Sequence, residues 1–127
     1  MATDPTALYK ESLLENAPPI KIVRLLYEKA ILHMERARRL NLATQAALFT
    51  ETLDKADAIV VELRLSLDPA PAPQISSNLE SLYLFVEERL SEALAQRNPE
   101  ELVPAIGVMN DLLDAWRSIE LGGQAAA

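Results

Sequence analysis

"FTETLDKADAIVVELRLSLDPAPAP", from Phe49 to Pro73, is the stretch on which the fold turns. Phe49, Leu53, Ala56, Val60, Leu63 and Leu67 recur at alternating steps of four and three. That spacing lines one face of a helix, and a face so continuous is the seam of a helical bundle. The pattern stops at Asp68–Pro73, where three prolines forbid continuation by removing N–H donors and crowding the preceding turn.

Working outward, the same periodicity appears three more times. The helix just described is expected from about Thr44 to Leu67. Before it, a helix from about Pro19 to Leu40 carries Val23, Leu26, Tyr27, Ala30, Met34 and Ala37 on one stripe. Pro19 suits its first helical position, and Asn41 is the expected stop. After the prolines, a third helix starting near Ile75 shows Leu79, Leu82, Val86, Leu90 and Ala93, widened by Tyr83 and Leu94, and ends around Arg97.

"NPEE" opens the fourth helix, with Asn98 as cap, Pro99 at the first position and Glu101 placed for a capping box. Leu102, Ile106, Met109, Leu113 and Trp116 form its stripe, and Gly122-Gly123 is the expected end. Pro104 is then the sixth helical residue and kinks the helix, unless the helix begins later. Helices of about 20 residues, each about 30 Å long, with short connections pack as an antiparallel four-helix bundle. The expectation is an all-α chain: residues 1–18 an N-terminal capping segment packed on the bundle, 19–121 the bundle, 122–127 a flexible tail.

Composition bounds the chemistry. The chain has 127 residues, three glycines and no cysteine, which excludes disulfides, thiolate catalysis and Cys-based zinc sites. Its net charge of −7 opposes general nucleic-acid binding, which depends on neutralising phosphates. The cluster Arg36, Arg38 and Arg39 reads as cations complementing a helix C-terminus. No apolar run reaches the ~20 residues of a membrane span, and "MATDPTALYK" lacks the features of a secretory signal. A cytosolic protein is expected.

A catalytic constellation is not evident. His33 is the single histidine, beside the first stripe, and reads as a surface or boundary residue rather than a ligand. One histidine cannot build a di-iron bundle site, a zinc site or a Ser-His pair. Acid neighbours such as Glu87-Glu88 point to different helix faces and read as solvated surface. The chain is expected not to be an enzyme and to need no cofactor and no metal.

Several helices carry apolar residues that a bundle seam does not use. Leu25 and Leu32 are seven apart and project opposite the Val23–Met34 stripe, with Ile22 at its margin. Ala58, Val61 and Leu65 form a row off the second seam, and Leu84 lies off the third. A second apolar face on a soluble bundle either meets a further neighbour or marks an interaction site. By periodicity alone the chain is a helical interaction module with an unnamed partner.

Four segments, in order, resemble the flagellar export chaperones of the FliS type: "PPIKIVRLLYEKAI" (Pro18–Ile31), "KADAIVVELRLSLD" (Lys55–Asp68), "NLESLYLFVEERLSEA" (Asn78–Ala93) and "DLLDAWRSI" (Asp111–Ile119). The resemblance covers about Tyr9 to Ile119. It implies a cytosolic chaperone that binds the C-terminal segment of flagellin and masks it before type III secretion, without catalysis. It also implies that Tyr9, in the preamble "ALYKESLLENAPPIKIV" (Ala7–Val23), packs on the bundle as a displaceable plug. Ile22, Leu25, Leu26 and Tyr27 match the family's helix near the flagellin groove, and Leu32, Val61 and Leu65 extend the candidate contact set. An export-gate component is a further candidate partner, and the free chain is expected to be a monomer or weak dimer. At Lys29 the family's commoner glycine is replaced, which narrows or recharges the groove. The alternative reading is a bundle adaptor binding another amphipathic protein segment.

Overall fold

The computed structural model describes residues 19–126, with side chains described through Gly122. Four α-helices and one 3-10 turn follow in order: α1 (Ile20–Arg38), α2 (Leu42–Leu65), α3 (Pro73–Gln96), the 3-10 turn Pro99–Glu101, and α4 (Leu102–Ala126). Helix α1 packs against α2 and α4, and α3 packs against the same two, so α1 and α3 are diagonal partners. Arg24 pairs with Glu120 and Glu28 with Arg117, so residue numbers rise along α1 as they fall along α4. The all-α four-helix bundle expected from the periodicity is the observed fold.

The stripes close on one core. Val23, Tyr27, Ala30, Met34 and Ala37 from α1 meet Phe49, Leu53, Ala56, Val60 and Leu63 from α2. Tyr83, Val86, Leu90 and Ala93 from α3, with Leu102, Ala105, Ile106, Met109 and Leu113 from α4, complete it. Each fully buried large side chain contributes about 1.5–3 kcal/mol relative to exposure. Leu26, Leu67, Leu79, Leu94 and Trp116 pack only partly buried at its edge.

Helix boundaries follow local chemistry and differ from the sequence expectation at several points. Pro19 lies outside α1 as its N-cap, not at the first helical position. Asn41 does end the first connection, but its work is to start α2: its Oδ1 accepts from the Ala43 N–H at 2.9 Å. The Gln45 Oε1 accepts from the Asn41 N–H at 2.9 Å, and Gln45 itself has a non-helical φ of −128°. Helix α3 begins at Pro73, because a proline in the first turn forfeits no helical hydrogen bond.

Pro104 resolves in the same way. Asn98 caps the 3-10 turn by accepting from the Glu100 N–H at 3.0 Å, and α4 begins only at Leu102. Pro104 is then a third helical residue, where its missing N–H is one of the unpaired four. The expected capping box does not form. The Glu101 carboxylate instead accepts from Arg89 at 2.7 Å, tying the turn to α3. Helix α4 also runs through Gly122 to Ala126, since glycine lowers helix propensity by about 1 kcal/mol without blocking the helix.

Candidate partner-binding surface

Arg24 and Glu28 reach toward α4 (Arg24 Nε–Glu120 Oε2, 2.6 Å; Arg117 Nη2–Glu28 Oε2, 3.0 Å). The buried stripe faces inward, so the remaining side of α1 points outward. Leu25 and Leu32 stand there, 48% and 46% exposed. Ile22 and Leu26 lie on the flank toward α2 and are half-buried against the core.

On α2, Arg64 turns toward α3 and holds Glu87 through both carboxylate oxygens, at 2.6 and 3.1 Å. Two parallel bonds of this kind fix orientation better than a single contact. Val61 and Leu65, each within a turn of Arg64, flank this pair on the outside; Val61 is half-buried and Leu65 68% exposed. Leu84, one turn before Glu87 on α3, is also exposed. Nearby, Asp57 has its pKa raised, chiefly by burial and then by Glu87 and Asp54.

Tyr27 departs from the expected contact set. It is 0% exposed, so here it offers no surface to a partner. Its hydroxyl bonds that of Tyr83, and its ring lies 6.3 Å from Tyr83 and 6.4 Å from Trp116, each tilted by 50°. Burial raises the pKa of the Tyr27 hydroxyl. A phenol takes this place because its ring fills the core while its polar tip needs a partner, which Tyr83 supplies. Tyr27 can shape the surface only by holding α1 in position.

His33 also sits deeper than the boundary position expected, at 8% exposure. Its pKa is lowered, first by burial and then by Lys29, Lys55 and Arg36. Tyr9 lies outside the described residues. The outward leucines thus form two ridges, one on α1 and one beside the α2–α3 contact, rather than a single groove. Sequence reading missed further exposed apolar residues, including Leu48, Phe85 and Ile119. Counting round the helix would have found them: Phe85, next to buried Val86, is rotated about 100° off the seam.

With the geometry in view, comparison with known proteins adds its own finding. A family model described as flagellar protein FliS matches residues 1–122. The chain belongs to the FliS family. The flagellar secretion chaperone FliS of Vibrio cholerae is 28% identical over 109 residues, covering 86% of this chain and 80% of that protein. That of Salmonella typhimurium is 26% identical over 110 residues, 86% and 82% of the two chains. The Campylobacter jejuni chaperone is 29% identical over 104 residues, 80% and 79% of the two chains. These FliS relatives are all named as flagellar secretion chaperones. Among the described residues of this FliS chain, no helix is long and apolar enough to cross a membrane.

Proposed function

We propose that this chain is a cytosolic flagellin chaperone. It takes the C-terminal segment of newly made flagellin, masks the part that polymerises, and holds it for type III export. The observation that carries this reading is the exposure of Leu25 and Leu32 on a helix whose other face is fully committed to the core. Its relatives' printed role, flagellar secretion chaperone, supports a flagellar protein as the client.

An amphipathic client segment that is disordered when free can fold against such ridges. It gains apolar burial and gives up part of that gain in ordering itself. Leu25, Leu32, Val61 and Leu65 are the contacts, with Ile22 and Leu26 at the margin and Tyr27 behind them. Tyr9 acts as the plug that the client displaces. An export-gate component receives the complex, and the free chain is a monomer or weak dimer.

Calorimetric titration of the full chain with the C-terminal segment of flagellin from the same organism tests the reading. Binding tighter than about ten micromolar supports it. No heat and no pull-down at tens of micromolar, on the order of 6–7 kcal/mol of binding energy, overturns it.

A further inference from the structure

The chain is acidic overall, yet its charge is segregated. Residues 20–39 hold six Lys or Arg against two Glu, whereas residues 73–126 hold three Arg against nine Asp or Glu. Both acids of the first set are already engaged. Glu28 bonds Arg24 and Arg117, and Glu35 pairs with Arg38.

The cations on the outward face of α1 are in a different state. Lys21, Lys29, Arg36 and Arg39 are exposed, and none has an ion pair or hydrogen-bonding side chain among the described residues. By helical position they bracket Leu25 and Leu32: at 100° per residue, positions 21, 25, 29, 32 and 36 fall on one side of the helix. The result is a strip one helix wide, with two leucines two turns apart and, on both sides, positive charge that has no ion-pair partner among the described residues. Lys55 of α2 is not part of this set, since its Nζ lies 3.4 Å from Glu51 Oε1.

We propose that this strip is built for an acidic amphipathic helix: the part of the client seated on α1 presents apolar residues to Leu25 and Leu32 and carboxylates to Lys29, Arg36 and their neighbours. This rests on the chaperone reading above and names the chemistry of the segment. Two leucines provide an anchor of modest area, while opposite charge at the rim sets orientation and speeds encounter. An anionic membrane is the poorer occupant. The strip is narrow, and the net charge of −7 opposes approach to such a surface. Charge complementarity also excludes basic segments, because a cation placed beside Lys29 meets only repulsion.

The test uses the full chain and the flagellin C-terminal segment in calorimetry, at salt from about 0.01 M to about 1 M, where the screening length shrinks from about 30 Å to about 3 Å. Affinity is expected to fall with salt. The double reversal K29E/R36E is expected to weaken binding about tenfold at low salt and to flatten the salt dependence. Both positions are exposed, so its unfolding midpoint should match wild type; the salt dependence of the unaltered chain is informative even if the variant misfolds. Salt-independent binding that the reversal leaves unchanged overturns the acidic-helix inference while leaving the chaperone reading standing. Absence of any binding by the unaltered chain overturns both. Binding to phosphatidylglycerol vesicles that K29E/R36E abolishes, with unchanged peptide affinity, assigns the strip to a membrane and overturns the inference.

Discussion

Tyr27 on α1 and Tyr83 on α3 join hydroxyl to hydroxyl across the diagonal of the bundle. The two helices are diagonal partners, so this buried polar bond spans the core between them. A hydroxyl left without its partner in an apolar core costs about 1–3 kcal/mol. Tyr83→Phe is therefore expected to destabilise by about that amount in urea unfolding. The pair Tyr27→Phe with Tyr83→Phe should lose less than the two single changes together, because both changes remove the same bond and residues in direct contact do not add. Additive losses would show that the two hydroxyls act independently.

His33 makes stability depend on pH. Its folded pKa lies below the ordinary imidazole value of 6.5, because burial and the cations Lys29, Lys55 and Arg36 disfavour the imidazolium. A depressed folded pKa means the unfolded chain takes up the proton first. The contribution is fully present above pH 6.5 and is lost as pH falls from there through the folded value. Urea midpoints between about pH 7.5 and about pH 5 should fall more for the native chain than for His33→Gln.

Gly107 offers a stabilising substitution. It lies exposed inside α4 with φ below zero, and a Cβ added there meets nothing within 4 Å. Gly107→Ala removes backbone freedom from the unfolded chain and should raise stability by about 0.5–1 kcal/mol. Thermal unfolding measures it, and a decrease would mean that the side chain meets an obstacle in solution.

The outward leucines and the edge tryptophan should separate binding from folding. Leu25→Asp and Leu32→Asp are expected to weaken client binding while shifting unfolding by no more than about 0.5 kcal/mol. Trp116 is only half-buried, against Tyr27. Trp116→Ala should cost about 2 kcal/mol, below the 3–5 typical of a fully buried ring, and leave affinity nearly unchanged. A large loss of stability in Leu25→Asp would place that leucine in the core.

Much of the fold is legible in the sequence. The seam from Phe49 to Leu63 is wholly buried, and the prolines after Asp68 separate α2 from α3 as expected. Periodicity is a property of one helix and of its backbone geometry, so it survives in the one-dimensional record. The outward placing of Leu25, Leu32 and Leu65 was legible for the same reason. Boundaries were less so: whether Glu101 bonds the Asn98 N–H or Arg89 depends on a residue from another helix.

What the sequence determined by itself was the phase of each helix, which residues share a face and where the chain must break. Only the tertiary structure decided which neighbour covers each face. Tyr27 was correctly on the α1 stripe, but its closure by Tyr83 and Trp116 comes from two helices more than fifty residues away. Likewise Glu28 and Glu35 are paired, while Lys29 and Arg36 have no ion-pair partner among the described residues. Pairing depends on distances between helices, and those are set by packing the whole core at once.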